Sequence, residues 1–236
     1  MILNLISGPR NVSTALMYSF AQRTDTFVLD EPFYAVYLSR SKAAHPGTET
    51  VLLALPQAEE EVIKKIFLSQ KKPVLFLKNM AHHMEVLDHP FVHGAVNIFL
   101  IRDPKEIIAS YSKVIQKPVM RDIGIKFQYT LFSQLQEKGQ EPIVIDSGFL
   151  LKDPSSVLQK LCLRCGLEFD QRMVHWPKGP KPYDGVWAKF WYANVHLSSG
   201  FDRQPTSSQP LPAGLQGLYT EAASFYEKLV PFSIKA

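Results

Sequence analysis

Five stretches of the chain, 2–6, 26–29, 73–77, 96–101 and 142–145, are almost wholly apolar and only four to six residues long. Runs that short read as strands buried on both faces, the pattern of a parallel sheet. Between them the period changes to that of helices. Ala15, Leu16, Met17, Phe20 and Ala21 give one helix a broad apolar face, and Glu59 to Gln70 carries Val62, Ile63, Ile66 and Phe67 on one side. Asp122 to Gln136 predicts another helix, a leucine-rich one runs from Asp153-Pro154 through Gly166, and Leu215 to Val230 is an amphipathic closing helix. Ala43 to Pro56 and Ser198 to Pro212, rich in proline, glycine or serine, read as mobile loops. Strands alternating with helices predict an α/β fold: three layers, α/β/α, around a central five-stranded parallel sheet of the P-loop NTPase-like kind, in one domain over 1–236.

The first strand runs through Gly8-Pro9 into Arg10-Asn11-Val12-Ser13-Thr14 and a helix. Free N–H groups of a first helical turn, with the positive end of the helix dipole, favour an anion in such a turn, and Arg10 can add a bidentate contact. An ordinary strand-to-helix turn with a surface arginine is the alternative. The G-x-x-x-x-G-K-[ST] pattern does not fit, which argues against an ordinary ATP or GTP hydrolase. The fourth strand ends in Arg102-Asp103-Pro104, where Pro104 suits the first helical position and Ile107, Ile108 and Tyr111 form a core stripe. Arg102 at the strand's end and Ser110 on the helix can grip one phosphate from two sides; a strand-end salt bridge is the bland reading of Arg102.

These two elements, in this order, resemble the sulfotransferase family. Arg10, Ser13 and Thr14 match the Arg-Ser-Gly-Ser-Thr loop of its carbohydrate branch, while Asn11 and Val12 stand where that loop has Ser-Gly. Arg102, Pro104 and Ser110 match the family's Arg-x-Pro and the serine eight positions on. The resemblance implies sulfuryl transfer from 3'-phosphoadenosine-5'-phosphosulfate to a hydroxyl or amine of a small-molecule acceptor, with no metal. It places the 5'-phosphosulfate on Arg10, Asn11, Ser13 and Thr14 and the 3'-phosphate on Arg102 and Ser110.

Other segments fall in family order. Thr26 to Phe33 ends a strand in Asp30-Glu31-Pro32, and Pro32 is expected to hold Glu31 extended. It is similar to the family's Glu-Pro element, which implies Glu31 as general base; pairing of Asp30 or Glu31 with Arg10 or Arg102 is the alternative. Pro73 to His83 resembles the Lys-Thr-His segment, implying that Lys78 stabilises the transferring group and that His82 is a second candidate base. Either histidine, His82 or His83, can equally be structural. Glu141 to Phe169 is a fold marker whose Cys162 and Cys165 read as core thiols. Trp176 to Trp191 loosely resembles the loop that closes over the 3'-phosphate and adenine, through Lys178, Gly179 and Trp187 with Lys189. A proline-stiffened loop packed by its own rings is the alternative.

Composition narrows the classes. A net charge of +4, spread along 236 residues, suits an anionic small molecule better than nucleic acid. No stretch reaches membrane-spanning length, and two cysteines in one helix fit a reducing, cytoplasmic setting. A homodimer is compatible with the sequence but not specified by it. A P-loop kinase of a small metabolite and a non-catalytic nucleotide-binding descendant of the fold stay open. Arg10, Glu31, Lys78, Arg102 and Ser110 all fall at or after strand carboxyl ends, where parallel sheets bind ligands.

Overall fold

Parallel strands form where the apolar runs predict them: β1 Ile2–Ser7, β2 Thr26–Asp30, β3 Val74–Met80, β4 Val96–Ile101 and β5 Ile143–Asp146. Every pairing is parallel, in the order β2-β3-β1-β4-β5. The computed structural model describes residues 1–69, 71–87, 90–115, 117–202 and 211–235. With β1 between β3 and β4, the order switches direction at the carboxyl end of β1, where such sheets open a ligand crevice.

Helices follow in chain order: α1 Ser13–Ala21, α2 Tyr34–Ser41, α3 Thr48–Ala54, α4 Glu59–Leu68, α5 Ala81–Met84, α6 Pro104–Tyr111, α7 Met120–Ile123 and α8 Ile125–Glu137. Beyond β5 come α9 Ser147–Lys152, α10 Pro154–Arg164, α11 Ala188–Trp191, α12 Ala193–Leu197 and α13 Gln216–Leu229. Strand residues alternate between two cores. Leu3, Leu5, Phe76, Ile98, Leu100 and Ile145 pack with Leu16, Met17 and Phe20 of α1 and with Leu158 and Leu161 of α10. Ile6, Leu75, Leu77, Phe99, Ile101 and Val144 face Ile66 of α4, Leu131 and Leu135 of α8 and Leu229 of α13. Polar atoms inside the sheet are linked: Asn79 Nδ2 donates to Asn4 Oδ1 at 2.8 Å and Asn4 Nδ2 to Asn97 Oδ1 at 2.9 Å, while Asn79 Oδ1 is left without a hydrogen bond among the described residues. Cys162 and Cys165 are buried free thiols, as core residues should be.

Three expectations need correction. Ala43 to Pro56 is not simply a loop, because α3 folds within it and fully buries Val51 in a cluster with Tyr34, Trp187 and Tyr192. The helix expected over Asp122 to Gln136 is two, since Gly124 has φ +77° and turns the chain between α7 and α8. Pro32 does not leave Glu31 extended: Glu31 has φ +40°. Its N–H donates to Lys78 O at 2.8 Å and its carbonyl accepts from Tyr34 N at 3.0 Å, so the chain must turn at once into α2. Of the Ser198 to Pro212 segment, 203–210 lie outside the described residues, as does Gln70 at the end of the helix predicted over Glu59 to Gln70.

A Cβ added at Gly124 would lie 2.7 Å from Ala81 Cβ, on a left-handed backbone. Gly124→Ala is therefore expected to destabilise the fold by about 1–3 kcal/mol, read as a lowered denaturant midpoint at unchanged slope.

Candidate functional site

The turn after β1 leads directly into α1. Helix α1 starts at Ser13 with Val12 as N-cap and no side chain bonded to its first turn, so those N–H groups stay available to a ligand. Arg10 sits at φ +53°, an unfavourable conformation for a side-chain-bearing residue. Arg102 holds it there: Arg102 Nη1 donates to Arg10 O at 2.8 Å. Arg10 Nε donates in turn to Ser110 Oγ at 3.0 Å. Asp103 caps α6 by accepting from Lys105 N at 2.8 Å, and Pro104 occupies its first turn, which fixes Ser110 on the same wall. Burial lowers the pKa of Arg102, with Glu106 at 3.6 Å opposing that trend.

A second group assembles at the ends of β2 and β3. Lys78, 1% exposed, donates from Nζ to Asp30 Oδ1 at 3.0 Å, to Tyr192 Oη at 2.6 Å and to Glu31 Oε1. Tyr192 Oη lies 2.8 Å from Asp30 Oδ2 and accepts from Trp187 Nε1 at 3.1 Å. Burial raises Glu31 to about 7, with Lys78 pulling it down and Asp30 pushing it up. Burial alone would lower Lys78, but the two carboxyl groups outweigh it and raise it. A carboxyl poised near neutrality is suited to take or give a proton.

Two cavities flank the turn after β1. One is lined by Glu31, the buried histidines His82 and His83, and the rings of Tyr34, Tyr111, Trp191 and Tyr192. The other, an open groove, is lined by Arg102, Ser110, Lys113, Asn194 and Phe201, with the acids Glu106 and Asp202 among its walls. Arg10, Asn11, Thr14 and Trp191 line both. The turn is thus the wall between a small ring-lined cavity and a larger cationic groove.

The structure brings Arg10, Asn11, Ser13, Thr14, Glu31, Lys78 and His82 to the first cavity and Arg102 and Ser110 to the groove. It does not bring Lys178 or Gly179 to either. Gly179, at φ +93°, is held by its N–H to His196 O at 2.7 Å, and Lys178 is exposed. Trp187 is 2% exposed and packs with Tyr34, so its ring has no open face for a base. Trp191 and Phe201 are the rings that line the groove instead. Sequence reasoning missed Tyr192, Lys113 and His45; Tyr192 lies one residue past the aromatic-rich segment, and His45 lies in the segment read as a loop. Among the described residues no group of acids, histidines and cysteines could hold a metal ion, and no helix is long and apolar enough to cross a membrane.

The buried imidazoles are neutral. Burial lowers His82 to about 3 and His83 well below the ordinary value, and Nδ1 of each makes no hydrogen bond among the described residues. A folded value below the unfolded one means that the unfolded chain binds the extra proton, so this contribution is lost as pH falls from the ordinary 6.5 toward 3. Glu31, raised, acts the opposite way between 4.5 and about 7. Replacing His82 by Gln is expected to remove about 1.4 kcal/mol per pH unit from the pH dependence of stability below about pH 6, measured by denaturant unfolding of both proteins at several pH values.

Comparison with known proteins follows the same lines. Over 230 residues the chain is 34% and 33% identical to the Arabidopsis thaliana branched-chain-amino-acid aminotransferase-like proteins 1 and 2. Those residues are 97% of this chain but 41% of each relative, so the chain spans less than half their length. Among solved structures it resembles the sulfotransferase domain of the Synechococcus PCC 7002 olefin synthase, with TM-score 0.55, 16% identity and 94% of each chain covered. It likewise resembles the sulfotransferase domain from the curacin biosynthetic pathway, with TM-score 0.57, 15% identity and coverage of 94% of this chain and 97% of that one. At these identities the two structures speak for the fold. The sulfotransferase-domain family matches residues 1–231, and the chain belongs to that family.

Proposed function

We propose that this chain transfers a sulfuryl group from 3'-phosphoadenosine-5'-phosphosulfate to a hydroxyl or amine of a small acceptor. The observation that carries this reading is the shared wall: a cationic groove and a ring-lined cavity meet at Arg10, Asn11, Thr14 and Trp191. Two reactants held on either side of one anion-binding turn are placed for in-line transfer, in which positioning and charge stabilisation do most of the work.

The groove suits the donor by its side chains, since Arg102, Ser110 and Lys113 can meet phosphate oxygens while Trp191 and Phe201 offer rings to a base. When bound, the donor supplies an activated sulfuryl group on a phosphate. Arg10 and the uncapped first turn of α1, with Ser13 and Thr14, hold negative charge at the wall. Arg102 and Ser110 hold the 3'-phosphate. Glu31 lines the other side and takes the proton of the acceptor hydroxyl or amine. His82, the second candidate, is poorly suited as the base, because a group lowered to about 3 holds an abstracted proton weakly. The aminotransferase-like names belong to proteins more than twice this length, whereas the family match runs along nearly the whole of this chain.

Calorimetric titration with 3'-phosphoadenosine-5'-phosphate should give selective binding that ATP with magnesium does not reproduce. Arg102→Ala should weaken it about tenfold to a hundredfold, as loss of a charge-assisted hydrogen bond costs about 1.5–3 kcal/mol. Preference for ATP with magnesium would overturn the donor assignment in favour of a kinase.

A further inference from the structure

Lys78 stands where the family resemblance expects a hand on the transferring group, yet its ammonium is fully occupied. An ammonium has three donors, and those of Lys78 meet Asp30, Tyr192 and Glu31 at the bottom of the cavity, with the side chain 1% exposed. Asp30 is held from a third side, where Gly185 N donates to Oδ2 at 3.0 Å. Tyr192 arrives from the junction of α11 and α12 and has its own hydroxyl fixed by Trp187. Nothing in this arrangement leaves a Lys78 donor pointing at a ligand, and everything in it touches Glu31 or a neighbour of Glu31.

We propose that Asp30, Lys78 and Tyr192 are positioning residues that orient Glu31 and set the pH range in which it exchanges a proton. This rests on the reading of Glu31 as the base. Lys78 acts on the reaction only through Glu31.

The groups around Glu31 define the balance. Lys78 faces it from β3, Asp30 precedes it on β2, and Tyr192 Oη is 3.4 Å from Oε1. His83 of α5 has Nδ1 3.8 Å from Oε2, Tyr34 lies on α2, and Arg10 lines the same cavity. His83 and Tyr34 are both held neutral by burial, so among the close neighbours Lys78 and Asp30 carry the opposing charges. Lys78 favours the carboxylate and Asp30 disfavours it, which leaves a buried carboxyl close to neutrality. Removing either charge must move the carboxyl, and in opposite directions.

The test follows the Glu31 carboxyl by infrared difference spectroscopy or by carboxyl-carbon NMR across pH, with Glu31→Gln identifying the signal. Wild type should show a carboxyl titrating near neutral pH. Asp30→Asn should move it down and Lys78→Met up, each by about one pH unit or more. Tyr192→Phe should move it up by less, because the lost hydroxyl favoured the ionised form; as a near-isosteric change it carries the test should Lys78→Met fail to fold. A titration that stays within about 0.3 pH unit of wild type in Asp30→Asn and Tyr192→Phe would overturn the proposal, since a one-unit move is the ordinary effect of a contacting charge. Full sulfuryl transfer by Glu31→Gln, in a screen of small hydroxyl and amine acceptors, would instead overturn the base assignment beneath it. The two failures are read on different variants and different signals.

Discussion

A protonated amine sealed beneath the sheet's carboxyl edge governs how the 185–192 segment is placed. Taking the Lys78 ammonium out of water costs several kcal/mol unless charged and polar partners surround it, and those partners come from distant parts of the sequence. Asp30 and Glu31 end the neighbouring strand, whereas Tyr192 lies 114 residues beyond Lys78. Satisfying Lys78 therefore docks the 185–192 segment against β2 and β3. The same segment delivers Trp191 to the wall between the cavities and leads into Asn194 and Phe201 of the groove. Both ligand spaces thus depend on a contact that lies below them.

Left-handed backbone marks the two turns that hold Arg10 and Glu31. Leaving aside Lys42, the left-handed C-cap of α2, the side-chain-bearing residues at positive φ among those described are Arg10 and Glu31. Such conformations cost about 1–3 kcal/mol each and persist only where the surroundings fix them. Arg102 bonds the carbonyl of Arg10, and the backbone of Lys78 and Tyr34 brackets Glu31 on both sides. The Arg10 and Glu31 side chains are in this way aimed by backbone bonds from adjacent elements.

What could be read from sequence was whatever rests on local pattern. Apolar runs of four to six residues located the five strands of the described residues, and a strand end and a helix at fixed spacing put Arg102 and Ser110 on one groove wall, where the side-chain partner of Ser110 is Arg10. The misses share a different cause. Val51 gives α3 a buried anchor that exists only once Tyr34 and Trp187 are in place. The family resemblance puts Trp187 in the loop over the adenine, but its indole N–H is needed by Tyr192, a demand set by tertiary contact. The Lys78 cluster was invisible as a unit because its members lie at 30, 31, 78 and 192, and a lysine at a strand end looks the same whether it reaches a ligand or is sealed by carboxyl groups.

The loop sequence Arg10-Asn11-Val12-Ser13-Thr14 departs from the family's Arg-Ser-Gly-Ser-Thr at the position where glycine would give conformational freedom. In this chain that freedom is not required at that position. Val12 sits at φ −87°, ψ 28°, an unstrained approach to the helix, and the left-handed residue of the turn is Arg10. Asn11 then closes the turn: its Oδ1 accepts from Val12 N at 2.9 Å and its Nδ2 donates to Leu100 O at 3.1 Å at the end of β4. An asparagine that bonds its own neighbouring backbone does by hydrogen bonding what a glycine does by permissiveness. The turn is tied to β4 on one side and, through Arg102 and Ser110, to the start and body of α6 on the other, while the first N–H groups of α1 stay free of side-chain caps. The substitution of Ser-Gly by Asn-Val therefore leaves those N–H groups in place.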